Sequence, residues 1–201
     1  MPIARWIHRH VIYPVVVGLR GEHGIYAGLA QLGAMSTWSA DTVREHQAAK
    51  LKLALAYAYV RCPLYRRTWP EDAERHDDPL ALLKRLPLLE KHTLQKEAAG
   101  LRARPGPGRV MAKTTGGSTG QAVTVLKDRR AVGFEMAASW FAYGWFGVGI
   151  GDRGVRFWGQ PFSFARRLRF AAVDLAMNRI RFSAFAFDEG DLERYWRRCR
   201  V

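Results

Sequence analysis

Apolar and polar positions follow a helical period up to about residue 100, and beyond it short apolar runs alternate with helical stretches. The first apolar run, Val11 to Leu19, follows Arg5, His8, Arg9 and His10 and carries Pro14 in its middle. It is too short to span a bilayer. Arg20, Gly21, Glu22 and His23 come next, where a signal peptide would place a small-x-small cleavage site. A surface helix packed on the domain is predicted; peripheral membrane contact through a basic, aromatic helix is the alternative. Thr42-Val43-Arg44-Glu45 fits a capping box. Leu51, Leu55, Ala58 and Val60 give the helix behind it an apolar face, and Pro63 stops it. Thr68 to Asp78 is polar and reads as a surface loop. Asp78-Pro79 supplies an N-cap and a first-turn proline for a helix to about Arg85. A short helix is predicted from Lys91 to Ala99.

Arg102 to Arg109 is a breaker-rich loop, with Pro105-Gly106-Pro107-Gly108 at its centre. Val110-Met111-Ala112 and Val123-Thr124-Val125-Leu126 then read as two strands around a tight loop. Asp128 can cap the following helix, with Phe134, Ala137, Ala138, Phe141 and Trp145 along one side. Gly154 to Trp158 reads as a buried strand, 163–178 as a helix, 179–185 as a strand and 188–200 as a helix capped near Asp188. Strand and helix in alternation predict the α/β class, a sheet with helical cover. No internal repeat is visible. The division expected is 1–100, mainly helical, and 101–201, α/β.

Composition adds limits. A chain of 201 residues, 48% apolar and 25% charged, buries a real core. Cys62 and Cys199 stand too far apart for a metal-ligand spacing or a disulfide framework, which suits a reducing cytoplasm. The net charge is +14. The arginines cluster at 166–169, 179–181 and 194–200, among Phe164, Phe170, Phe182, Phe185, Tyr195 and Trp196. Such a mixture holds single strands by stacking and phosphate contact, or else consists of amphipathic helices with solvated arginines. No nucleic-acid motif accompanies it, so a basic module for anionic polymer or membrane surface is the alternative function.

The chemistry concentrates in Thr114-Thr115-Gly116-Gly117-Ser118-Thr119-Gly120. Glycines allow close backbone approach, and successive N–H groups with hydroxyls beside them converge on an anion, polyphosphate above all. An ordinary Gly- and Ser-rich hairpin turn is the other reading. No lysine follows, so it is not a P-loop. A literal G-x-G-x-x-G occurs at Gly149 to Gly154, but it lies after a helix and before a strand. That is the reverse of a dinucleotide site, and a helix stop and turn is the reading preferred. The chain shows no Ser-His-Asp order, H-E-x-x-H or paired-cysteine zinc pattern, and no catalytic residue or metal ligand is assigned.

The loop resembles the phosphate-binding loop of the adenylate-forming ligase superfamily, a Ser/Thr-Gly run closing on Thr-Gly-x-Pro. Ala122 stands where that family has proline, and Val123 where many acyl-CoA synthetases have lysine; backbone donors depend on neither. Cys62-Pro63-Leu64-Tyr65-Arg66 resembles the P-x-Y step of phenylacetate–CoA ligase-like and CapK-type proteins, and Leu86-Pro87-Leu88-Leu89-Glu90-Lys91 resembles their L-P-x-x-x-K step. Gly144-Trp145, Gly151-Asp152-Arg153 and Phe157-Trp158-Gly159 continue the likeness, which covers roughly 40–165. The resemblance implies an N-terminal helical segment followed by the start of the large mixed α/β ATP-binding domain. It implies ATP and Mg2+, with CoA as a co-substrate, and activation of a carboxylic acid to acyl-AMP. It places ATP phosphates on Thr114 to Gly120. It puts Trp158, Gly159 and Phe162 in the acyl or nucleotide pocket, with core packing the other reading of Trp158. The family's adenine and magnesium segment and C-terminal lysine have no counterpart here. The expectation is therefore a truncated portion, inactive alone, that needs a complementing C-terminal part.

Overall fold

Helical backbone opens the chain as α1 (Pro2–Ile7), a π-helical turn (His8–Ile12) and α2 (Tyr13–Arg20). Pro14 falls in the first turn of α2, directly after the π turn, where the hydrogen-bond ladder already shifts and a missing N–H does least harm. Gly21 ends α2 in the left-handed region (φ 66°), its N–H donating to the carbonyls of Gly18 and Val17. The computed structural model describes residues 2–22, 24–106, 108–115, 122–158, 170–171, 173–184 and 189–199.

The described chain is helix-rich with two small sheets, a mixed α/β content. α3 (Gly24–Met35), α4 (Ala40–Arg61), α5 (Pro63–Thr68), a 3-10 turn (Glu71–Glu74), α6 (Pro79–Arg85) and α7 (Lys91–Lys96) precede the first strands. β1 (Val110–Thr114) and β2 (Thr124–Asp128) form an antiparallel hairpin in which Val110 faces Asp128 and Thr114 faces Thr124. α8 (Arg129–Gly144) follows, its first turn capped by Asp128, which accepts from the Ala131 N–H at 2.6 Å. β3 (Gly154–Trp158) and β4 (Arg179–Ser183) pair in parallel. Parallel pairing demands a crossover, and its described part, 170–171 and 173–176, is helical (α9). α10 (Glu189–Cys199) closes the described chain. The predicted helix start at 163 and the cap at Asp188 lie outside the described residues.

Two compact units are formed, one from 1–29 with 135–201 and one from 30–134. In the first, Tyr13, Val17 and Ile25 make a core with Leu29, Met136, Trp140, Ile150 and Met177. The Trp140 indole N–H donates to the Tyr13 hydroxyl at 2.7 Å. Burial outweighs that bond and pushes the Tyr13 phenol up to about 12, so it stays neutral. In the second unit Leu55, Tyr59, Ala73 and Leu82 are buried together, with Leu51, Trp69 and Leu86 against them.

Several expectations change. α4 begins at Ala40, and its cap is Ser39, whose Oγ accepts from the Thr42 N–H at 3.1 Å; Thr42 therefore sits inside the helix it was expected to open. Replacing Ser39 by alanine is expected to cost about 1 kcal/mol in urea unfolding. An unchanged midpoint would remove the cap. Leu51, Leu55 and Tyr59 carry the buried side of α4, one turn apart, while Val60 is exposed. The 68–78 stretch is not all surface, since the 3-10 turn buries Ala73. In α8 Val132 and Ala137 are buried and Met136 and Trp140 half-buried, whereas Phe134 and Trp145 are exposed. β3 is a strand as expected but not a buried one, with Phe157 54% exposed.

Candidate functional site

The hairpin strands β1 and β2 flank the Gly- and hydroxyl-rich stretch in sequence. Of the seven residues expected to bind phosphate, Thr114 and Thr115 are described; Gly116, Gly117, Ser118, Thr119 and Gly120 lie outside the described residues. The neck below the loop is well defined. Thr114 Oγ1 and Thr124 Oγ1 lie 2.8 Å apart across the last paired rung. The Thr115 N–H donates to the Val123 carbonyl at 2.9 Å, and Thr115 Oγ1 accepts from the Val123 N–H at 3.0 Å. The Thr115 hydroxyl thus serves the neck as an acceptor and keeps its own proton to donate. Gln95 of α7 donates to the Ala122 carbonyl at 3.1 Å, which ties the exit of the loop to a helix.

Beside the hairpin lies a cavity of about 530 Å³, of the size that takes a small organic ligand. Tyr57, Tyr65, Leu94, Leu101, Val110 and Leu126 give it a largely apolar wall, and Arg102, Lys127 and Asp128 add charge. Thr124 also lines it, so the cavity runs along β2 up to the neck of the loop. Sequence reasoning did not find this cavity. The two motifs that flank it were legible. Pro63 opens α5 and brings Tyr65 to the wall, where its ring stacks on Trp69. The Leu86 to Lys91 step leads into α7, which contributes Leu94. Burial raises the Cys62 thiol, and raises the Tyr65 phenol with some help from Cys62, so both are neutral at neutral pH.

Trp158, Gly159 and Phe162 were the other expected pocket residues. Trp158 ends β3, in the unit formed by 1–29 and 135–201, while the hairpin belongs to 30–134. Gly159 and Phe162 lie outside the described residues. The G-x-G-x-x-G stretch is a turn, as expected: Gly151 has φ 92°, and the Asp152 carboxylate accepts from the Gly149 N–H at 2.7 Å. Among the described residues no three His, Cys, Asp or Glu side chains gather as a metal site. Part of the basic and aromatic mixture turns inward, with Phe182 buried, stacked on Tyr195 and covered by the Arg198 guanidinium.

Over 102 residues the chain is 33% identical to a phenylacetate-coenzyme A ligase of Pseudomonas putida. That stretch is 49% of this chain and 23% of the relative, so the likeness spans less than a quarter of that protein. No protein-family profile matches the chain. No solved structure matches it either.

Proposed function

We propose that this chain takes part in the ATP-dependent activation of a carboxylic acid, as a phenylacetate–CoA ligase-like protein, and that its hairpin loop holds the ATP phosphates. One observation carries the reading: the residues that flank the Gly- and hydroxyl-rich stretch form a hydrogen-bonded neck, and Thr124 of that neck lines an apolar cavity, in a chain with partial likeness to a CoA ligase. In such a reaction the carboxylate attacks the α-phosphorus of ATP. The α–β phosphoanhydride bond breaks, pyrophosphate leaves and acyl-AMP forms; a CoA thiol then displaces AMP. The β- and γ-phosphates must be held while charge moves onto the leaving pyrophosphate. Backbone N–H groups and hydroxyls of Thr114 to Gly120 suit that task. The Thr115 proton is one such donor. The apolar cavity along β2 would take the organic part of the substrate, with its charged end toward the neck. Magnesium would share the phosphate charge, but the described residues gather no carboxylate set to hold it.

Calorimetric titration of the chain with ATP tests this directly. Ser118→Ala and Thr119→Ala are each expected to weaken ATP binding about tenfold, the loss for a hydrogen bond to a charged group. Equal affinity in both variants, or no ATP binding by the unaltered chain, would overturn the loop assignment.

A further inference from the structure

The N-terminal helix carries a row of apolar side chains that nothing in its own unit covers. Ile3, Ile7, Val11, Val15 and Leu19 recur every fourth residue and all are exposed, Leu19 to 83%; Trp6 is exposed beside them. On the opposite side Tyr13 and Val17 are buried. A row at every fourth position drifts around a regular α-helix by about 40° per step. The π turn at His8–Ile12 takes more residues per turn and sets the row back, so Ile7, Val11 and Val15 stay on one side. At about 1.5 Å per residue the stretch from Pro2 to Arg20 is about 28 Å long.

The helix itself carries charge of one sign, with Arg5 paired to Asp152 and Arg20 to Glu22 outside it. Residues 2–20 include Arg5, Arg9, Arg20, His8 and His10 and no Asp or Glu. Arg5 is anchored on Asp152 at 2.7 Å, which fixes the helix on the domain, while Arg9 and His10 are exposed. The His10 ring lies against Trp6, with centroids 5.2 Å apart. The turn that receives Arg5 follows a second exposed apolar group, Trp145, Phe146 and Val148. No helix of the described chain is long and apolar enough to cross a membrane. A partner for this face must accept an apolar ridge and attract cations. A second copy is disfavoured, because it would lay the same acid-free basic helix against itself in a chain of charge +14.

We propose that residues 2–20 form an interfacial helix that lies in the plane of an anionic lipid bilayer. Ile3, Ile7, Val11, Val15 and Leu19 enter the acyl boundary, Trp6 and the neighbouring His10 sit at the headgroup level, and the basic charge of the helix and chain attracts anionic lipid. This surface is independent of the loop and of any nucleotide.

Flotation of the full chain with vesicles tests it. Vesicles of phosphatidylcholine with phosphatidylserine are expected to carry the chain at low salt, and phosphatidylcholine alone to carry far less. Val11→Asp and Val15→Asp are each expected to lower partitioning about tenfold, since each removes one buried aliphatic side chain from the lipid contact. Leu88→Asp, at an exposed site in the other unit, should leave it unchanged. Bromine-labelled acyl chains should quench tryptophan emission of the unaltered chain, and Trp6→Phe should remove most of that quenching. This arm stands even if a charged variant folds poorly. No flotation with anionic vesicles, or full flotation of both aspartate variants, would overturn the proposal. So would a dimer in solution that the same variants dissociate, which would assign the stripe to self-association.

Discussion

Gly151→Val is expected to destabilise the chain by about 3–5 kcal/mol, from backbone strain and overpacking together. Gly151 sits at φ 92°, where a β-branched residue is strained. A Cβ there would meet the Arg5 carbonyl oxygen at 2.7 Å and the Arg9 backbone nitrogen at 3.0 Å. Both are backbone atoms of the N-terminal helix and cannot swing aside as a side-chain tip would. The Gly151 carbonyl also accepts from the Asn178 side chain at 2.8 Å, so the turn is held from the other direction as well. Gly147 offers the control. Its φ is 73°, yet nothing lies within 4 Å of an added Cβ. Gly147→Ala should therefore cost only the conformational part, about 1 kcal/mol. Urea unfolding of the two variants separates the terms, and equal midpoints would show that the helix does not press on Gly151. Hydrogen exchange at the amides of residues 5–9 should quicken in Gly151→Val alone.

That dependence explains part of what was legible in the sequence. Local chemistry was readable. Asp78-Pro79 and Asp128 cap the helices they were expected to cap, the hairpin strands fall close to their predicted places, and β4 and α10 follow their predicted order. These elements announce themselves through turn residues and short-range periods. What escaped depends on partners distant in sequence. Phe134, Phe141 and Trp145 make as good a stripe on paper as Val132, Met136 and Trp140. Met136 and Trp140 are partly covered because Tyr13 and Val17 meet them. Ser39 and Thr42 both present hydroxyl caps three residues before a suitable position, and the chain uses the earlier one. α3 was not foreseen, its apolar, glycine-containing sequence showing little of a helical face. The cavity beside β2 combines residues of α4, α5, α7, β1, β2, α8 and the 101–108 loop and leaves no single motif. At the candidate site, the two strands and the motifs that flank the cavity were readable from residue types; the Thr115–Val123 neck and the Gln95 tie were not, because each is a tertiary bond.

Asp174 gives the second large effect, and it was invisible in the sequence because its partners lie across the turn into β4. Its carboxylate is almost enclosed and takes hydrogen bonds from Arg181 at 2.9 and 2.8 Å and from Arg179. On its own, burial would push this carboxyl upward. The Arg181 and Arg179 hydrogen bonds outweigh it and hold the group below the usual aspartate range. The two guanidinium groups are themselves largely covered, Arg181 with its side chain only 12% exposed. Arg156 of β3, the register partner of Arg181, adds a third positive charge on that side of the sheet. Asp174→Asn keeps the shape and removes the charge that faces Arg179 and Arg181, and is expected to cost about 3 kcal/mol at neutral pH. The pH dependence has a definite sign. A carboxyl depressed in the folded state contributes its full stability above its unfolded pKa, near 3.9, and loses it as pH falls through the lower folded value. The unaltered chain should therefore weaken below about pH 4 more steeply than the asparagine variant, and their urea midpoints should converge in acid. Parallel midpoints across that range would show that Asp174 contributes packing alone, with no charge coupling to Arg179 and Arg181.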